Sequence, residues 1–236
     1  TTAPATAATL EAARCAGIGN FSVLCCHVLT PPAMEHILSS APARAAPALD
    51  GIAGPAHVSA VIGTAPYEAL VRRRPVPIVI CGFEPLDMLM TILMLVRQAN
   101  SGRCEVENEF IRAVPQEGSP VALDLMRRVF RPRESFEWRG LGRIPRSALA
   151  LSPAFSGFDA ERRLGLVEKP VLESRACQCG AILRGEKSPP ECPAFGRACT
   201  PSRPLGACMV SSEGACAACY SFERAVLSRR GGEHHA

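Results

Sequence analysis

The sequence predicts an α/β fold, a mainly parallel sheet with flanking helices, joined to a small cysteine-rich C-terminal domain. Three observations predict it. From Thr1 to about Ala113, apolar strand-like runs alternate with helical stretches, the pattern of βαβ units in a layered domain. From about Val171 the composition turns to Cys, Pro, Gly and small residues with little periodicity. Seven of the twelve cysteines fall within the 43 residues from Cys177 to Cys219. The boundary is therefore drawn with residues 1–170 as the α/β region and 171–236 as the Cys-rich domain, and no internal repeat is seen.

Taken in order, the first helix is expected over Ala7 to Ala16, followed by a β-rich run, FSVLCCHVL, from Phe21 to Leu29. Pro31-Pro32 fits the start of a second helix, Pro32 to Ser39, where a missing amide costs least. A short apolar run at Leu49 to Gly54, a helix near Ser59 to Arg73, a strand at Pro77 to Phe83 and a helix at Asp87 to Asn100 continue the alternation. Beyond Asn100 the signal weakens: CEVENEF reads as a short strand, VALDLMRRVF as a helix, and SFEWRGLGRIPRSALAL as an irregular strand-like segment with the single tryptophan, Trp138.

The chain has 236 residues, 47% hydrophobic and 20% charged, enough to bury a sizeable core. Its formal charge of +4 comes from 26 basic and 22 acidic residues, with the basic ones in short groups such as Arg72-Arg73-Arg74. Such groups are solvated faces, and nucleic acid is not an expected partner. No secretory signal opens the chain, and its most apolar stretch, Leu86 to Val96, is interrupted by Asp87 and too short to span a bilayer. A soluble, cytoplasmic protein is expected, and in a reducing compartment clustered cysteines serve as metal or redox groups. Thr1 opens inside a helical stretch, so the chain reads as the C-terminal part of a longer protein.

Cys179, Cys192, Cys199 and Cys216 follow the spacing Cys-x12-Cys-x6-Cys-x16-Cys. Zinc knuckles bring ligands as two tight Cys-x2-Cys pairs, which this spacing lacks. A cuboidal iron–sulfur cluster needs four thiolates at the corners of a larger cage, which loops of different length can supply. The spacing also differs from those of ferredoxins, so chemistry alone leaves iron–sulfur and zinc open. Cys216-Ala-Ala-Cys219 admits a thioredoxin-type redox reading, although no βαβ unit frames it and Tyr220 and Phe222 continue an apolar pattern. Cys25, Cys26 and Cys81 lie in apolar runs and read as packing residues.

In open α/β sheets, ligands sit beyond the carboxyl ends of the strands. His27, His57, Glu84 and Asp87 each follow a strand-like run, so parallel strands would place them along one edge. The alternative is structural: a hydrogen-bonded histidine, and Asp87 as the N-cap of the next helix. There is no GxGxxG, no P-loop and no Ser-His-Asp order.

The segments GPAHVSAVIGTAPYE, ICGFEPLDML, EVENEF, FEWRGLG, CGAILRG, ECPAFGRACTP and GACMVSSEGACAA, in this order, resemble the HypD family of NiFe-hydrogenase maturation factors. The resemblance runs from about residue 20 to residue 220. It implies a scaffold on which the Fe(CN)2CO group is assembled with a HypC-type chaperone and a HypE-type cyanide donor, before delivery to the hydrogenase large subunit. It implies a 4Fe-4S cluster on Cys179, Cys192, Cys199 and Cys216, and it puts His57 and Glu213, in the GPAHVS and SSEG segments, near the reacting centre. Two features of the family's N-terminal region, an iron-binding cysteine in a CGxHT-type motif and a redox-active Cys-x2-Cys pair, are not in this sequence. The chain is thus expected to be neither a self-sufficient enzyme nor a mere adaptor. The competing readings are a thiol-disulfide oxidoreductase using Cys216 and Cys219, and a zinc-stabilised interaction module.

Overall fold

The computed structural model of the chain describes residues 1–40, 49–167 and 174–222. These fall into two compact units, the first built from residues 1–39, 49–136 and 144–167 and the second from 137–143 and 174–222.

The first unit carries the expected parallel sheet. Strands β1 (Ile52–Pro55), β2 (Ile78–Cys81) and β3 (Val106–Asn108) lie in the order β1-β2-β3, with Ile52 opposite Ile78 and Ile78 opposite Val106. All of β2 is buried, as a central parallel strand covered on both faces must be. Helices α1 (Ala3–Cys15) and α2 (Thr30–Ser40) precede the sheet; α3 (Ala56–Ile62) and α4 (Ala65–Arg73) join β1 to β2, and α5 (Pro85–Ser101) joins β2 to β3. The single helix expected over Ser59 to Arg73 is two helices, because Gly63 turns the chain through a left-handed conformation at φ 74°.

α6 (Pro120–Val129), capped by Ser119 Oγ, leads into β4 (Phe130–Pro132), which pairs antiparallel with β7 (Leu149–Leu151). Between them stand β5 (Ser135–Trp138) and β6 (Gly142–Pro145), the ordered form of the irregular strand-like segment. The run Phe21 to Leu29 is not a strand of the sheet. It meets the rest of the unit at two isolated bridges, Val23 with Asp159 and Val28 with Ala148. Its carbonyls are taken up singly, Cys25 O by the Arg133 guanidinium and His27 O by the Leu149 amide. The apolar alternation in this run reflects the packing of Cys25, with Phe21, Val23 and Leu29, against Leu10, Val129 and Phe130. A second apolar core gathers Tyr67, Leu70, Ile78, Ile80 and Val114 around the sheet.

α5 is inverted for a surface helix: it buries Asp87, Thr91 and Gln98 and exposes Leu86, Leu89, Ile92 and Val96. No helix among the described residues is long and apolar enough to cross a membrane. After a 3-10 turn at Pro153–Phe158 and α7 (Ala160–Arg163), the second unit adds α8 (Cys179–Leu183), a 3-10 turn at Pro189–Glu191, α9 (Ala207–Val210) and a helical stretch over 215–222.

Candidate metal centre

Cysteines make up more than half of the buried residues that form the core of the second unit. Cys179, Cys192, Cys199, Cys208 and Cys216 are all buried, packed with Ile182, Ala194, Met209 and Ala217, and Cys177 borders them. These six cysteines line one cavity, closed by Ile182, Phe195 and Met209. Five of them arrive on different short connections, and Cys177 stands two residues before Cys179. Cys179 opens α8, Cys192 ends the Pro189–Glu191 turn, Cys199 bridges Phe195, Cys208 lies in α9 and Cys216 in the helical stretch after the SSEG turn. Local chemistry fixes these turns: Ser188 and Glu191 form a reciprocal capping box around Pro189. Gly206 leaves no room for a side chain, since a Cβ there would collide with Cys177 Sγ. At the hairpin tip in FEWRGLG, Gly140 lies against Cys179, where a Cβ would stand 3.2 Å from Sγ.

The sulfurs are not equivalent. Cys179 Sγ and Cys208 Sγ are 2.8 Å apart, and the Cys208 amide donates to Cys179 Sγ at 3.4 Å. The Leu205 amide donates to Cys199 Sγ, also at 3.4 Å. Sharing a hydrogen with Cys179, together with burial, holds the Cys208 thiol well above the ordinary cysteine range. Burial, with the neighbouring thiols of Cys179, Cys199 and Cys192, pushes Cys216 up to about 11, and burial raises Cys177 in the same direction. Such thiols are poor nucleophiles near neutral pH, because the thiolate is the attacking species. They become thiolates when a soft cation displaces their protons.

A thiol-only donor set is compatible with a zinc ion or with an iron–sulfur cluster, and the two make different demands on spacing. One tetrahedral ion at about 2.3 Å from each sulfur draws its thiolates to within roughly 4 Å of one another. Among the described residues, no group of three or more His, Cys, Asp or Glu side chains converges to hold one ion. A cuboidal cluster instead presents a separate iron to each thiolate and suits a wider cage.

In the first unit, the carboxyl ends of β1 and β2 carry polar groups as expected. His57 follows β1 as the second residue of α3, and its ring lies 5.1 Å from that of Phe83. Glu84, not Asp87, is the N-cap of α5; Asp87 completes the capping box from the third helical position and is buried against Arg112. His27 is not at a strand end. Its Nε2 is 3.0 Å from Thr6 Oγ and its ring meets Phe130 edge-on, 5.7 Å away, while burial keeps its pKa below the usual value. It nevertheless shares with His57 the lining of a cavity of about 260 Å³, beside Val58, Met126 and Leu149. Glu213 lies in the other unit, exposed, its amide donating to Ser211 Oγ at 3.2 Å in the turn that leads to Cys216. Spacing alone had left Cys177, Cys208 and Arg112 without a role; the Cys177-Gln178-Cys179 pair was the available signal for the first of them.

Fold and cage together define a class, an α/β protein with a separate thiol-rich unit. Residues 1–223 match the HypD, hydrogenase formation hypA family, and the chain belongs to the HypD family. It is 56% identical over 226 residues to a hydrogenase maturation factor HypD of Cupriavidus necator, covering 95% of this chain and 60% of that protein. It is 58% identical over 225 residues to the hydrogenase expression/formation protein HupD of Azotobacter chroococcum, covering 95% and 59%. A putative hydrogenase expression/formation protein of Methanocaldococcus jannaschii is 40% identical over 226 residues, covering 95% and 61%. The chain therefore spans about 60% of the length of the Cupriavidus necator relative.

Proposed function

We propose that this chain works in NiFe-hydrogenase maturation as an iron–sulfur scaffold. The Fe(CN)2CO group would be its substrate, assembled with a HypC-type chaperone and a HypE-type cyanide donor in the cytoplasm and passed on to the hydrogenase large subunit. The observation that carries the reading is the cage of six cysteines in a chain of this family.

Within the cage, Cys192, Cys199 and Cys216 are assigned as ligands of a 4Fe-4S cluster. The family resemblance offers Cys179 as the fourth. Cys177 and Cys179 both line the cavity, and we take Cys177 as the fourth ligand because Cys179 is already engaged with Cys208 at 2.8 Å. When bound, such a cluster supplies single electrons at a potential set by hydrogen bonds to sulfur and by burial. The chain supplies both: the Leu205 amide donates to Cys199 Sγ, and Met209 and Ile182 keep water from the sulfurs. Cys179 and Cys208, with sulfurs 2.8 Å apart, could form a disulfide by exchange with an external disulfide, which takes up the two electrons and two protons and is released as two thiols. Their closeness is the observation behind a thiol–disulfide activity beside the scaffold reading, for which Cys216 and Cys219 are the other candidate pair.

His57 is assigned to orient or protonate groups at the strand-end cavity, and Glu213 to order the turn before Cys216. The test is complementation. In a strain lacking its own HypD protein, a full-length family member carrying this chain in place of the matching segment should restore hydrogenase activity. The same protein with Cys216→Ser or His57→Ala should not. Full activity with Cys216→Ser would overturn the scaffold reading.

A further inference from the structure

Phe83 is 71% exposed, yet its ring rests on the imidazole of His57, with centroids 5.1 Å apart and planes inclined by 31°. A surface ring keeps one place only when its backbone is held, and the turn that carries it, Gly82 to Glu84 between β2 and α5, is held from behind. The Glu84 amide donates to Asp87 Oδ2 at 3.3 Å, and the Asp87 amide returns a bond to the Glu84 carboxylate. Asp87 itself is 3% exposed. Arg112, from the loop after β3, donates Nη2 to both Asp87 oxygens at 2.8 and 2.9 Å and lies 3.7 Å from Glu84 Oε2. Its guanidinium also sits 3.9 Å above the centre of the Phe110 ring. Gly82 is wedged between Asp87 and Phe110, so a Cβ at that position would meet both.

We propose that Arg112 and Asp87 are positioning residues for His57. They fix the Gly82–Glu84 turn, the turn fixes Phe83, and Phe83 fixes the plane of the imidazole at the carboxyl end of β1. An exposed histidine otherwise samples several rotamers, and selecting one in advance removes that ordering cost from any step in which the imidazole takes part. The inference rests on the reading of His57 as a polar group of the maturation site, but it concerns only how the ring is held.

The test is NMR of the histidine ring protons in the 236-residue chain. The ring current of Phe83 displaces the His57 resonances, and Phe83→Leu should abolish that displacement. Arg112→Gln and Asp87→Asn should lose most of it, whereas Arg112→Lys should retain part, because lysine keeps the charge beside Asp87 but not the planar guanidinium stacked on Phe110. The His27 resonances, which report the packing of the same unit through Thr6 and Phe130, should stay in place in every variant. If Phe83→Leu moves the His57 resonances and Arg112→Gln does not, the proposed link is absent. If Phe83→Leu leaves them unmoved, Phe83 does not rest on His57 at all. Should Asp87→Asn fail to fold, the two Arg112 variants carry the test. Failure here appears in the spectra, while failure of the maturation reading appears in the activity of His57→Ala, so the two are separable.

Discussion

Cys179 Sγ and Cys208 Sγ approach to 2.8 Å inside the cysteine cage, and the Cys208 amide points at the same Cys179 sulfur. This contact sets one pair of the six cavity-lining cysteines, whose sulfurs partner each other, apart from the other four, Cys177, Cys192, Cys199 and Cys216. After anaerobic reconstitution, alanine at any of the four should lose most of the bound iron and sulfide. Alanine at Cys208 should leave both in place. Retention of iron by Cys177→Ala with loss by Cys179→Ala would restore Cys179 as the fourth ligand.

Gly206 precedes α9 with φ −139°, a conformation open to any residue, so its backbone does not require glycine. Its space does: a Cβ would collide with Cys177 Sγ. Gly206→Ala should therefore cost about 1–3 kcal/mol by overpacking and displace Cys177, lowering iron content. Thermal unfolding and iron analysis check both, and an unchanged iron content would contradict the placement of Cys177.

Asp87 has a side chain 4% exposed, while that of its partner Arg112 is 49% exposed. Breaking a fully buried pair costs about 3–5 kcal/mol; with one partner half in water, Arg112→Ala should cost about 2 kcal/mol. Urea unfolding of the two chains measures it. A loss below about 0.5 kcal/mol would place Asp87 among ordinary surface charges.

Burial favours the neutral imidazole of His27, so its folded pKa lies below the ordinary 6.5. The unfolded chain then takes up a proton first as pH falls, and stability declines. The stabilisation is complete above pH 6.5 and shrinks as pH drops from there through the folded value. His27→Gln should flatten this part of the stability–pH curve. Equal slopes for the two proteins would show that His27 is solvated in the fold.

Periodicity made the parallel sheet and the helix after Cys81 legible, because central strands read as continuous apolar runs. The same signal misled at Phe21 to Leu29, where alternating burial is produced by an irregular segment pinned at two bridges. Glycine at position 63, with its left-handed φ, broke a helix that composition had joined. In the second unit, the cysteines grouped by spacing pack around one cavity, while the contact of Cys179 with Cys208 was not legible in the sequence. Residues two apart in sequence, Cys177 and Cys179, differ in environment: α9 brings Cys208 against the second of them, while Gly206 lies against the first. Arg112 was silent for the same reason: its role depends on a loop from β3 reaching the start of α5.

The most direct test of the account is metal and acid-labile sulfide analysis of the anaerobically purified chain. A 4Fe-4S centre held by Cys192, Cys199, Cys216 and Cys177 predicts about four iron and four sulfide per chain, with broad visible absorption. About one zinc per chain, with no sulfide and no colour, would contradict it and make the second unit a zinc-stabilised interaction module.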